Sequence, residues 1–187
     1  MKEKAILDHE ISQDYINDKY IYKLKKFEDL EEGEIIPLIS DTIFDYLINN
    51  ESKKEYAASI ISAALDLDYD KVYNSIEFKS PRLKKDKVRN SKKTVDLLCE
   101  VDGVLYNIEI NNKGYKSSLE RNIQYIADIF ESKMMRGGKY KYQNAVQINI
   151  NNFSFKGRKK IMDIISLRSN EGDLFTDKIK IIHIYLL

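Results

Sequence analysis

An α+β domain, with helices flanking a central sheet, is predicted by three features of the sequence. Residues 95–111 alternate apolar and polar side chains around an Asp-Gly pair, which is typical of a tight β-hairpin because glycine adopts positive φ without steric cost. Residues 117–134 then show apolar side chains at helical spacing. Residues 145–150 alternate, and residues 179–185 are almost continuously apolar, as expected of a half-buried strand and a buried strand.

The segments before the hairpin are predicted to be mainly helical. Asp41, or the serine before it, is placed to cap a helix that runs to residue 48, because both residue types accept hydrogen bonds from the free amides of a helix start. Residues 52–65 repeat the helical pattern, and residues 72–78 favour a strand. A loop at residues 79–93 then leads to the hairpin.

Length and composition fit one globular domain behind an N-terminal extension. The chain has 187 residues, of which 43% are hydrophobic, enough for one substantial core and too few to require two. Residues 1–34 have a polar, helical pattern, so we predict a helical extension there and a domain over residues 35–187. The single cysteine, Cys99, excludes an internal disulfide, and no apolar run reaches the ~18 residues of a membrane span. We therefore expect a cytoplasmic protein without a membrane partner.

One acid stands near the outer end of each hairpin strand, and this pair is the main candidate for chemistry. Side chains alternate along a strand, so Glu109 and Asn111 share one face while Ile108 and Ile110 point to the other. Antiparallel pairing then brings Asp96 beside Glu109. Two carboxylates with further positions open to water and phosphate are the ligand set that Mg²⁺ or Mn²⁺ requires. From spacing alone, an ordinary pair of surface acids is the simpler interpretation.

A basic run precedes the first of these acids and predicts nucleic-acid binding. The net charge is only +1, but residues 79–93 hold eight basic side chains against one acid. Cations beside a metal site favour a polyanionic substrate such as DNA, whereas the alternative is a solvated loop. The residues that we assign to nucleic-acid binding in this run are Lys84, Lys85, Lys87, Arg89, Lys92 and Lys93.

The helix after the hairpin carries two further candidates for nucleic-acid binding, Arg121 and Tyr125. Its apolar stripe includes Ile123 and Ile126, and Arg121 lies on a different face with Tyr125 at the margin. A helix laid across the sheet directs these two side chains towards the acids. The alternative is an ordinary polar stripe that faces solvent.

The order of these elements resembles the PD-(D/E)XK nuclease superfamily, and within it the PD-(D/E)XK nuclease family transposases, or Rpn-like recombination-promoting nucleases. The resemblance covers about residues 36–187. It is carried by the sequence SDTIF opening a helix at residue 40, by NIEIN at residues 107–111, and by Arg121 followed by Tyr125 before a double glycine. It implies a restriction-endonuclease-like core, in which a central mixed β-sheet is flanked by helices.

The resemblance also implies roles for individual residues. Asp96 and Glu109 would be inner metal ligands together with the backbone carbonyl of Ile110, and Asp41 is the candidate auxiliary acid. Two positions depart from the pattern. Position 95 is Val rather than Pro. Position 111 is Asn, where the superfamily has a Lys that orients water and offsets charge and where this branch commonly has a Gln.

The loss of that lysine leaves two functions in competition with a purely structural scaffold. Asn111 hydrogen-bonds water but carries no charge, so Lys113 is the alternative cation in the catalytic group. With an active site, the chain is a metal-dependent DNA endonuclease linked to recombination or mobile elements. Without one, it is a nuclease-fold module that binds nucleic acid or a protein, for example as an inhibitor or anti-defence factor. Other expected partners are a protein docked on the N-terminal extension and a second copy in a homodimer.

Overall fold

The computed structural model describes residues 16–17, 43–44, 46–47, 53–81, 94–115, 117–131, 143–155 and 160–186. The helices are α1 (Lys53–Leu65), α2 (Tyr69–Ser75) and α3 (Ser118–Glu131). The strands are β1 (Ile16–Asn17), β2 (Glu77–Phe78), β3 (Leu97–Val101), β4 (Val104–Asn111), β5 (Ala145–Asn151), β6 (Ser154–Phe155), β7 (Met162–Arg168) and β8 (Leu174–Tyr185). Residues 43–44 and 46–47 are also helical.

Six of these strands form one mixed sheet, in the order β2-β3-β4-β5-β8-β7. The three central strands β4, β5 and β8 are parallel, and the remaining pairs in this sheet are antiparallel. The carboxyl ends of β4, β5 and β8 therefore lie at one edge of the sheet. The predicted α+β fold with a mixed sheet and flanking helices is confirmed.

The β3–β4 hairpin forms at the predicted Asp-Gly pair. Asp102 has a φ of 48° and Gly103 a φ of 79°, so both turn residues adopt the positive φ that a two-residue hairpin turn requires. Val101 pairs with Val104 across the turn, and the register continues to Leu97 opposite Ile108. This register fixes which face each later residue of β4 occupies.

The two faces of the sheet differ in character. On one face, α1 and α2 cover a large apolar core that includes the fully buried Ile108, Ile148 and Ile182. On the other face, Ile126 and Ile129 of α3 pack over a smaller apolar cluster. Beyond that cluster, towards the carboxyl ends of the parallel strands, the second face is lined by buried polar side chains.

Some local predictions are wrong. Residues 72–78, expected to favour a strand, are mostly within α2, because Asp68 caps that helix by accepting a hydrogen bond from the amide of Lys71 at 2.8 Å; only Glu77–Phe78 are extended. Ile123, expected on the apolar stripe of α3, is 60% exposed. In the predicted helical extension, Ile16–Asn17 instead form a strand paired with β6, and the rest of residues 1–34 lies outside the described ranges.

Cys99 is a fully buried residue of β3 in the larger core. Burial raises the pKa of its thiol to about 12, so the thiolate needed for nucleophilic chemistry is not accessible near neutral pH. Among the described helices, none is long and apolar enough to span a membrane.

Candidate active site

The two candidate acids lie at the open end of the hairpin, where each carboxyl group accepts a hydrogen bond from a backbone amide of the opposite segment. The backbone amide of Asp96 donates to Oε1 of Glu109 at 3.3 Å, and the backbone amide of Ile110 donates to Oδ2 of Asp96 at 2.8 Å. Asp96 lies just before β3. Side-chain to backbone bonds therefore take over where the backbone ladder ends, and they orient both carboxyl groups.

Burial and mutual repulsion make the ionised pair unfavourable without a cation. Glu109 is only 5% exposed. Its pKa is raised to about 8, mainly by desolvation and then by the negative charge of Asp96. The nearby Asn107 amide, the backbone amide of Asp96 and the charge of Arg121 lower this pKa in part. A divalent cation relieves the repulsion between two such carboxylates, so the electrostatics fit a metal site.

The protein donors at this position suit a hard cation that keeps part of its hydration. Each carboxylate has two oxygens and about four acceptor positions, so a carboxylate can accept hydrogen bonds and also bind a cation. The described residues contain no cluster of three or more His, Cys, Asp and Glu side chains that could hold a metal. Among the described residues, the candidate for a further protein ligand is the backbone carbonyl of Ile110, and water and substrate usually complete the coordination of Mg²⁺.

Asn111 is buried between a cation and a second asparagine. Arg121 of α3 donates from Nη2 to Oδ1 of Asn111. Asn111 in turn donates from Nδ2 to Oδ1 of Asn151 on β5 at 3.1 Å. Because both ends of its amide are hydrogen-bonded and the residue is only 5% exposed, Asn111 connects α3 to the sheet.

A row of buried amides continues from Asn111 across the parallel strands. Nε2 of Gln147 donates to Oδ1 of Asn149 at 3.0 Å and to Oδ1 of Asn122 on α3 at 3.2 Å. Nδ2 of Asn151 donates to the carbonyl of Asn149 at 3.2 Å and lies 3.2 Å from Nδ1 of His183. The three amide side chains of β5, Gln147, Asn149 and Asn151, are completely buried.

The other predicted residues are distributed more widely. Lys113, the alternative cation, is exposed just after β4. Tyr125 is half-buried and packs against the smaller apolar cluster. Lys79, which begins the basic run, forms ion pairs with Glu77 at 2.8 Å and Glu100 at 3.3 Å. Asp41 and the basic residues Lys84, Lys85, Lys87, Arg89, Lys92 and Lys93 lie outside the described residues.

The sequence did not predict that the polar face of β5 is buried, nor that His183 faces the same region. Alternation at residues 147–151 indicates a half-buried strand with its polar side chains in water. One available signal is that asparagine is depleted in strands, so Asn149 and Asn151 at alternate positions indicate a specific environment. The position of His183 follows from the pairing of β8 with β5, which sets it opposite Asn149.

Comparison with known families agrees with this geometry. The family model of the PD-(D/E)XK nuclease family transposases matches residues 38–187. The chain belongs to this family. No curated protein and no solved structure matches it. Membership supports a nuclease-like function in general, and PD-(D/E)XK nucleases generally use divalent metals.

Proposed function

We propose that this family member is a metal-dependent endonuclease that hydrolyses DNA phosphodiester bonds, as part of recombination or of a mobile element. The observation that carries the proposal is the pair formed by the half-buried Asp96 and the buried Glu109. Each carboxyl group accepts a hydrogen bond from the backbone of the other segment, and ionisation of both is electrostatically unfavourable without a cation. Family membership supports the assignment to nucleic-acid chemistry.

The residues of the site divide between holding the cation and ordering its surroundings. Asp96 and Glu109, with the Ile110 carbonyl, would hold Mg²⁺ or Mn²⁺, which supplies Lewis acidity towards the scissile phosphate. Hydrolysis joins the oxygen of one water to phosphorus and breaks one phosphorus–oxygen ester bond. The proton of that water passes to solvent, and the leaving oxygen takes up another. The amide of Asn111 has no basic nitrogen near neutral pH, so its role is to position neighbouring groups.

A second candidate is a nuclease-fold module that binds nucleic acid or a protein without cleaving. It is favoured by one specific observation, the uncharged Asn111 at the position of the superfamily lysine. The nuclease and a module that binds nucleic acid both predict binding of DNA, whereas a module that binds a protein does not. Only the nuclease predicts hydrolysis of DNA. The N-terminal extension as a protein-docking segment and a homodimeric assembly stay predictions under both.

Metal titration and cleavage on the same preparation separate these functions. We expect calorimetry to show Mn²⁺ and Mg²⁺ binding, and we expect single-turnover assays to show cleavage of duplex DNA that stops when EDTA is added. Single-stranded DNA and RNA of the same sequence serve as comparison substrates. Metal binding without cleavage of any of the three would establish the binding module, and absence of metal binding would contradict both the site and the proposed reaction.

The basic run gives an independent prediction about affinity. Replacing Lys84, Lys85, Lys87 and Arg89 by Gln should weaken duplex binding across sequences. It should also reduce the slope of log affinity against log salt by up to about 0.9 for each phosphate that the variant no longer neutralises. Fluorescence anisotropy at several salt concentrations measures both quantities.

A control with the same reduction of charge tests whether position matters in that experiment. Lys71, Lys160, Arg168 and Lys178 are all exposed and lie outside the run. Their replacement by Gln should leave the salt slope nearly unchanged. Equal slopes for the two quadruple variants would mean that the run is only a solvated connection.

A further inference from the structure

The candidate site needs a positive charge that position 111 does not supply. Hydrolysis of a phosphodiester adds negative charge to the phosphoryl oxygens as the transition state forms, and preorganised cations stabilise that charge. Asn111 is uncharged, and Lys113 is exposed beyond the end of β4. The structure instead brings Arg121 from α3 to Asn111, two residues after the acid Glu109 on β4.

We propose that Arg121 is the cation of the reaction centre, supplied from helix α3 instead of strand β4, and that Asn111 is its positioning residue. This inference rests on the proposed function and names the residue that stabilises charge in it. Three features of the structure support it: the anchoring of the asparagine, the anchoring of the helix, and the N–H donors that the guanidinium can direct at a substrate.

The first support is that Asn111 is held from the side opposite Arg121. Its Nδ2 donates to Asn151, and Nδ2 of Asn151 donates to the carbonyls of Asn149 at 3.2 Å and Ile184 at 3.4 Å. These bonds tie the asparagine to three adjacent parallel strands. Because the amides are buried, Oδ1 of Asn111 is a fixed acceptor, and the guanidinium that it binds is oriented before substrate arrives.

The second support is that buried contacts of the neighbouring residues fix α3 at the position of Arg121. The next residue, Asn122, is 2% exposed and accepts a hydrogen bond from Gln147 at 3.2 Å. One and two turns further on, Ile126 and Ile129 are buried against the sheet. The helix thus cannot turn Arg121 away from the site without breaking buried contacts.

The third support is that the guanidinium has donors to offer. Arginine has five N–H donors, and only the Nη2 contact with Asn111 joins it to a described polar group. Its Nε is buried without a hydrogen-bond partner among the described residues. A guanidinium is a charged group that only donates hydrogen bonds and has no acceptor atom, so its role is to stabilise phosphoryl charge.

Single-turnover cleavage by Arg121 variants tests the inference. Arg121→Gln should lower the rate by about 10²–10³-fold, the range found when one preorganised donor is removed from a reaction centre. Mn²⁺ affinity should not fall, because no metal ligand is lost. Arg121→Lys should retain part of the rate. Arg168→Gln is the matched control, since Arg168 is exposed on β7 and donates to the carbonyl of Gly172.

Two further measurements distinguish a charge at the reaction centre from a structural role. Guanidinium ion added to Arg121→Ala should restore part of the cleavage rate, which it would not do for a misfolded site. Moving the charge in Asn111→Lys/Arg121→Gln should raise the rate above that of Arg121→Gln alone. Asn111→Lys by itself should not raise the rate, because it buries a second cation beside Arg121 and removes the acceptor that orients it.

The outcomes separate this inference from the proposed function. Wild-type cleavage together with an undiminished rate in Arg121→Gln overturns the role of Arg121 and leaves the nuclease intact. Loss of Mn²⁺ binding or of thermal stability in Arg121→Gln, without guanidinium rescue of Arg121→Ala, assigns the residue to structure and also overturns it. Wild-type protein that binds Mn²⁺ but cleaves no nucleic acid overturns the proposed function, and the inference falls with it.

Discussion

Asp96→Asn is expected to abolish metal-dependent cleavage while the fold stays intact. The asparagine keeps an oxygen that can accept the hydrogen bond now made by the amide of Ile110 at 2.8 Å, but it removes the negative charge that would bind the cation. We expect the single-turnover rate to fall by at least about 10³-fold, which corresponds to about 4 kcal/mol of transition-state stabilisation. Mn²⁺ affinity should fall by at least about 100-fold, since even changes outside the ligand shell cost about 10–100-fold.

The same substitution at the hairpin turn provides the matched control. Asp102 is an exposed residue with positive φ, a conformation that asparagine also tolerates. Asp102→Asn removes one acid from the same hairpin and should leave the cleavage rate and Mn²⁺ affinity unchanged. If Asp96→Asn cleaved DNA as fast as Asp102→Asn does, Asp96 would not be a metal ligand.

The acids could be predicted from the sequence because their placement depends on local rules. An Asp-Gly pair sets the turn, and the two-residue loop sets the register of β3 against β4. Alternation then puts Glu109 and Asn111 on one face of β4. Each step uses residues within one hairpin, so the juxtaposition of Asp96 with Glu109 needs no knowledge of the remaining sheet.

The surroundings of the acids depend on contacts that are distant in sequence. Asn151 reaches Asn111 because β5 pairs in parallel with β4 across the α3 connection, and His183 reaches Asn151 because β8 pairs with β5. The alternation of β5 does not by itself distinguish polar side chains in water from polar side chains under a helix. The contact of Arg121 with Asn111 depends on the rotation of α3, for which the apolar stripe was misleading because Ile123 faces outwards.

These distant contacts change the meaning of the asparagine at position 111. In the sequence, Asn111 takes the position of the superfamily lysine without its charge, and this difference counts against catalysis. In the structure it is one side of a hydrogen bond whose other side is the Arg121 guanidinium. A site without the strand lysine can therefore have a cationic side chain from a helix instead, provided that the helix, here α3, is held as firmly as the strand, here β4.

Glu109→Gln is expected to stabilise the metal-free protein at alkaline pH and to have little effect in acid. The pKa of Glu109 is raised to about 8 in the folded protein, above its value of about 4.3 in an unfolded chain. The folded state therefore holds a proton that the unfolded state releases as the pH rises. Wild-type stability is highest below pH ~4.3 with respect to this group, and it is lost as the pH rises through about 8.

Thermal unfolding in EDTA across this pH window measures the difference. Between pH 5 and 9, the free energy of unfolding of Glu109→Gln should rise relative to that of wild type by about 4 kcal/mol, or roughly 8–16 °C in Tm for a chain of this size. Glu120→Gln, a change at an exposed residue in the first turn of α3, should give a pH profile parallel to that of wild type. Added Mn²⁺ should raise the Tm of wild type at pH 8 but not that of Glu109→Gln, since a ligand stabilises only the form that binds it. Parallel pH profiles for wild type and Glu109→Gln in EDTA would show that the pKa of Glu109 is not raised in the folded protein. The electrostatic argument for a cation at this site would then be lost.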